Sequence, residues 1–186
     1  MHRKKIGLLA FILVALAQLY VPAKMIIDKE LVLHSGKEFK FRTAPVDPND
    51  QFRGKYITLS YSDNVVEVDE NEKWNRGENI YALIETDNEG FAFIESVSRE
   101  KPENSEDYLF TKVQYNGQNK LFVEFPFDRF YMEESKAYDA EMIYRENERD
   151  ITSTTYALVR IKEGEAVLEN VFIDDIPIKD LVEAGR

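Results

Sequence analysis

Thirty-five Asp and Glu residues, two His and no Cys make up the most reactive side chains of this 186-residue sequence, and those types limit its chemistry. Without cysteine there are no disulfides, thiolate zinc sites or thiol nucleophiles. His2 and His34 are the only imidazoles, which argues against a Ser-His-Asp triad or a multi-histidine metal centre. The run Asp69-Glu70-Asn71-Glu72-Lys73-Trp74 places Lys and Trp where a calcium loop needs an oxygen ligand and a glycine. The acids Asp47, Asp50, Asp174 and Asp175, with Asn49, read as exposed acidic loops. Paired carboxylates such as Glu133 and Glu134 are uninformative as a glycosidase dyad, because acids are abundant and their separation is unknown. No cofactor or metal is expected. A net charge of −11 opposes a nucleic-acid partner, since such a surface repels the phosphate backbone and releases no counterions.

These residues must be positioned by β-structure. Beyond Leu33, alternation of period two predicts strands at Glu38 to Thr43, Tyr56 to Tyr61, Val65 to Val68, Ile80 to Glu85, Phe91 to Val97, Tyr108 to Tyr115, Lys120 to Phe125, Thr155 to Ile161 and Ala166 to Ile173. The turns Asp87-Asn88-Glu89-Gly90, Asn116-Gly117 and Glu163-Gly164 each supply a glycine for the positive φ of a hairpin. One helix is expected at Glu133 to Glu148, where Ala137, Ala140, Ile143, Tyr144 and Asn147 recur near helical spacing.

An internal repeat is also expected. Tyr81-Ala82-Leu83-Ile84 recurs as Tyr156-Ala157-Leu158-Val159, each followed by an acidic glycine turn and a second strand, at an offset of 75. The same offset matches Phe52 with Phe127 and Tyr56 with Tyr131. Two halves, 36–107 and 108–186, would then pack with pseudo-two-fold symmetry into a β-sandwich or barrel. The fold class expected is mainly β: an N-terminal transmembrane helix followed by an internally duplicated sandwich or barrel with one short helix.

The charge is unevenly distributed. Arg3, Lys4 and Lys5 precede an apolar run from Ile6 to Ala23, broken only by Gln18, and Met25, Ile26 and Ile27 extend it past Lys24. Eighteen helical residues span about 27 Å, close to the hydrocarbon thickness of a bilayer. The leading cations should stay cytoplasmic. Residues 1–27 are therefore expected to be a membrane anchor, with removal after the Ala15-Leu16-Ala17 site as the rival, and residues 34–186 an extracytoplasmic β-domain. Setting aside the three leading cations leaves 21 basic against 35 acidic residues, about −14.

The segment Arg53-Gly54-Lys55-Tyr56-Ile57-Thr58-Leu59-Ser60-Tyr61 resembles the signature of the bacterial GDYXXLXY family. Gly54, Tyr56, Leu59 and Tyr61 stand where the name requires them, with Lys55 in place of the named Asp. The preceding Pro45-Val46-Asp47-Pro48 is similar to the family's lead-in, and Arg129 to Ser135 is similar to a second family segment, in which Glu134 fits. The resemblance implies a membrane-anchored protein with no assigned activity, in the cytoplasmic membrane of a bacterium, its C-terminal domain periplasmic or extracellular. It also implies a multi-pass membrane protein as partner.

Alternation puts Ile57, Leu59 and Tyr61 on one face of the motif strand, the core face, and Tyr56, Thr58 and Ser60 on the other. On the polar side Arg53, Tyr56 and Thr58 could meet Asp128, Arg129 and Glu134 from the other half and form a groove for a ligand or partner; a solvated loop rim is the alternative. An Arg-Gly before a strand also occurs in signal peptidase-like serine proteases with a Ser-Lys dyad. No Ser-Met follows the apolar run and no Gly-Asp-Asn segment occurs. The leading expectation is thus a non-catalytic accessory subunit, and a ligand-binding module or hydrolase acting on envelope material is the alternative.

Overall fold

The computed structural model describes residues 2–44, 56–117, 119–149 and 153–184. Helix α1 (His2–Ser35) is one continuous element, and its stretch Ile6–Ser35 is long and apolar enough to cross a membrane. Among the described residues its large apolar side chains are exposed, Phe11 and Leu19 among them, until Val32, which is buried. The helix thus continues about two turns past Ile27, where the run free of acids ends.

That last part is fastened to the β-domain. The Gly36 N–H donates to the Val32 carbonyl at 2.8 Å, closing the helix, and a Cβ at Gly36 would lie 2.5 Å from that oxygen. The chain then passes directly into β1 (Lys37–Ala44). Lys29 hydrogen-bonds Glu165, Lys162 donates to the Ser35 hydroxyl at 2.7 Å, and Arg160 ties the Gly36 carbonyl to Glu38 and Glu169.

Alternating residues then build the strands β2 (Tyr56–Thr58), β3 (Ser60–Tyr61), β4 (Val65–Glu67), β5 (Asn79–Thr86), β6 (Ala92–Ser98), β7 (Tyr108–Gly117), β8 (Lys120–Glu124), β9 (Arg129–Tyr131), β10 (Thr155–Lys162), β11 (Glu165–Ile173) and β12 (Ile176–Pro177). Helix α2 (Glu134–Arg149) lies between β9 and β10, and α3 (Ile178–Ala184) follows β12. The strands form two five-stranded sheets, in the orders β12-β11-β10-β1-β3 and β4-β8-β7-β5-β6, and a small β2-β9 pair. Parallel bridges from Lys40 to Phe91 and from Leu109 to Gly164 link the large sheets. The result is a mainly β domain with a nearly closed, barrel-like sheet.

The interior carries what alternation places there: Phe41, Ile80, Ala82, Ile84, Leu109, Val113, Leu121, Val123, Ala157, Val159 and Val171 are buried. Removing each of these side chains from water, the two alanines aside, contributes about 1.5–3 kcal/mol. In α2, Ala137, Ala140 and Tyr144 face inward at helical spacing, and α2 packs against α3, β2 and β10.

Several expectations are corrected. The β-domain holds a second helix besides the one expected, because α3 is a seven-residue helix held by buried Ile178 and Val182. The expected strand Tyr56 to Tyr61 is broken at Leu59, where the chain leaves β9 and joins β1. Gly90 and Gly164 have φ of 87° and 88°, as hairpin turns require, whereas Gly117 continues β7.

The offset of 75 has a geometric counterpart. The pairing of β5 with β6 shifts register between Leu83 and Ile84, and that of β10 with β11 shifts between Leu158 and Val159. Each hairpin takes its next neighbour from the other part of the chain: β10 pairs with β1, and β5 with β7.

Candidate functional site

The motif strand and β9 define the site. Tyr56 stands opposite Tyr131, Ile57 opposite Phe130 and Thr58 opposite Arg129. Ile57 and Phe130 are buried, so the other two pairs form the outer face. There the rings of Tyr56 and Tyr131 lie 5.3 Å apart, and the Arg129 guanidinium sits 5.1 Å from the Tyr56 ring centre. Tyr131 is 62% exposed. A hydrogen bond with Tyr131, then Tyr56 and Asp128, push the Arg129 pKa up, so the patch keeps its positive charge. Two tyrosine rings with a guanidinium within cation–π distance give this face a composition that is enriched at protein interfaces.

The inner face of the motif is structural. The Leu59 N–H donates to the Asp128 carbonyl at 2.8 Å, and Leu59 itself is buried. Tyr61 lies in an aromatic box: its ring meets Phe125 and Phe127 edge-on at 5.3 Å and Phe41 at 6.3 Å. Its hydroxyl donates to the Phe127 carbonyl at 2.8 Å. Burial, with a smaller contribution from the Asp128 charge, pushes the Tyr61 pKa well up and keeps the phenol neutral.

Beside the box is a polar cleft of about 150 Å³, with Ser60, Asn64, Gln114, Glu124 and Asp128 around a floor of Leu59, Tyr61, Val123 and Phe125. Asn64 donates to Gln114 at 3.5 Å across it. The volume is below the roughly 300 Å³ at which small-molecule pockets begin. Among the described residues, no three His, Asp or Glu side chains are grouped so as to hold a metal ion.

The proposed groove residues are thus partly assembled. Tyr56, Thr58 and Arg129 share one outer face, and Asp128 lies next to it, its carboxylate 3.9 Å from the Arg129 Nε. Arg53 and Gly54 lie outside the described residues, as does the side chain of Glu134, whose backbone opens α2.

Sequence reasoning missed Tyr131, although the offset of 75 already aligned it with Tyr56. It also missed Arg42, whose Nη2 bonds Asp87 at 2.8 Å and Glu89 at 2.7 Å while its guanidinium covers the Phe91 ring at 4.0 Å. Burial alone would lower the Arg42 pKa; hydrogen bonds to Asp87 and Glu89 reverse this and raise it. Neighbouring Asp63 is pushed above the ordinary carboxylate range by burial, and its Oδ2 has no hydrogen-bond partner. Hairpin chemistry flagged Asp87 but gave no sign that Arg42 would reach it.

Helix, barrel-like sheet and patch together define a β-domain carried on an apolar helix. The chain belongs to the GDYXXLXY protein family, whose model matches residues 18–171. No curated protein and no solved structure matches it.

Proposed function

We propose that this protein is a non-catalytic, single-pass membrane protein whose acidic β-domain lies outside the cytoplasm and docks with a multi-pass membrane partner through the face of the motif strand. The observation that carries this reading is the division of labour within the motif: Ile57, Leu59 and Tyr61 are built into the core, while Tyr56, Thr58, Arg129 and Tyr131 stand outside with no nucleophile-base pair among them. The apolar α1 supplies the anchor, with Arg3, Lys4 and Lys5 on the cytoplasmic side. The matched register shifts and the crossed pairing of β1 with β10 and of β7 with β5 support two internal copies around a pseudo-two-fold axis, with Tyr56 and Tyr131 facing each other across it.

A photo-crosslinking amino acid at position 131 tests this in native membranes. Capture of an integral membrane protein, reduced by Arg129→Ala with unchanged melting, is the expected result. Recovery as an uncrosslinked monomer from gentle detergent sinks it. The second reading, a ligand-binding module or hydrolase acting on envelope material, has the Ser60–Asp128 cleft in its favour, but that cleft's volume suits a few waters better than a substrate.

A further inference from the structure

The two hairpins that share the offset of 75 end differently. At the Gly90 end, the residue across from Tyr156 on β1 is Arg42; at the Gly164 end, the residue across from Tyr81 on β7 is Phe110. One step along, Leu158 faces Lys40 and Leu83 faces Tyr108. Where one end of the barrel carries two cations, the other carries two aromatics.

The aromatic end is also the end beside α1. The Phe110 N–H donates to the Gly164 carbonyl at 3.0 Å, Gly164 precedes Glu165, and Glu165 is held by Lys29. A Cβ at Gly164 would come within 2.9 Å of the Tyr108 ring and 3.0 Å of the Phe110 Cβ, so the turn rests directly on these aromatics. Lys29 lies two residues beyond Ile27, the last residue of the apolar stretch, a rise of about 3 Å. The interfacial layer on one side of a bilayer is about 5–7 Å thick. With no loop between α1 and β1, the Gly164 turn is held at that depth. Phe110 is 50% exposed there, with its ring 5.0 Å from that of Tyr81.

Several acids at this end have cationic neighbours, although Glu103 and Glu106 in the loop before Tyr108 are not ion-paired among the described residues. Glu165 pairs with Lys29, Asp107 with Lys37, and the Lys101 ammonium lies 5.6 Å from the Tyr108 ring with Glu163 also acting on it. These cations offset part of the negative charge that would otherwise repel lipid phosphates from a domain of this net charge.

We infer that Phe110, Tyr81 and the Glu163-Gly164 turn form a second membrane contact, resting in the headgroup layer of a bilayer and holding the domain against its surface. A tyrosine such as Tyr81 suits that depth, apolar on one side and wetted on the other, and the wholly apolar Phe110 ring beside it suits the acyl boundary below. The inference rests on α1 being the membrane anchor.

The cysteine-free chain allows a direct test. Single variants Leu16→Cys, Ser98→Cys, Phe110→Cys and Tyr115→Cys, each carrying an environment-sensitive fluorophore, are reconstituted as full chains in phosphatidylcholine vesicles containing headgroup-nitroxide lipid. Tyr115 lies five residues along β7 from Phe110, about 17 Å away, and Ser98 faces Tyr81 from β6, giving a reporter that does not disturb Phe110. The expected result is quenching at 110 and 98 at least about twice that at 115, as for an interfacial rather than an aqueous site. Quenching at 110 and 98 no greater than at 115, with position 16 within the bilayer, overturns the contact and leaves the anchor standing. Position 16 in water overturns both.

Discussion

Tyr156 and Tyr81 hold matched places in the two hairpins, yet only one of them is sealed. Tyr156 is buried: it stacks on Phe172 at 5.1 Å, meets Phe91 edge-on at 5.8 Å, lies under Lys40, and donates to Asp175 at 2.7 Å. Burial, then the Asp175 hydrogen bond and charge, push its pKa far up. Tyr81 has Tyr108 and Phe110 for company and remains partly open. The same backbone register therefore supports a closed, charged end and an open, aromatic one. Register belongs to the fold, whereas the identity of the cross-strand neighbour belongs to whatever each end meets.

The most damaging way to break this comparison is to remove the sealed ring. Tyr156→Ala is expected to cost about 3–5 kcal/mol, against about 1–2 kcal/mol for Tyr81→Ala, because only the first leaves a full cavity. Denaturant titration of the full chain in detergent measures both, and equal losses contradict the contrast. Next is Tyr61→Phe, expected to cost about 1–2 kcal/mol by leaving the buried Phe127 carbonyl without its donor while the aromatic box stays filled. Arg42→Ala should cost about 1 kcal/mol: it removes a guanidinium stacked on Phe91, but its ion pairs are partly solvated and screened. If Phe110→Ser, at the matched place, destabilises by as much, the aromatic end is a folding element and not a surface.

The smallest effect is read through pH. Asp63 has its folded pKa raised above the ordinary 3.8 by burial, so its ionisation opposes folding as pH climbs through that interval. Asp63→Asn removes the opposition. The stability difference between variant and parent should therefore favour the variant more at pH 7 than at pH 3, and a pH-independent difference contradicts the assignment.

Alternation made most of the sheet legible, since Phe39-Lys40-Phe41 and Tyr81-Ala82-Leu83-Ile84 read the same in the sequence and in the sheet. It could not reveal the break at Leu59, because a strand that changes partner keeps its inside-outside alternation. Strand β9 is three residues long and α3 seven, each too short to establish a period. Of the candidate site, Tyr56, Thr58 and Arg129 were found by projecting one half onto the other. The fastening of α1 was not legible at all, because Lys29 and Glu165 are 136 residues apart and each reads as an ordinary solvated charge.

The junction at Gly36 has a mechanical meaning. With α1 as the anchor proposed above, a helix that enters a sheet without slack would make the chain a lever whose fulcrum is the membrane surface. For a domain about 38 Å across, a ten-degree change in helix tilt carries the far rim through about 7 Å. Whatever leans on the buried arm of that lever would be felt, amplified, at the Arg42 end.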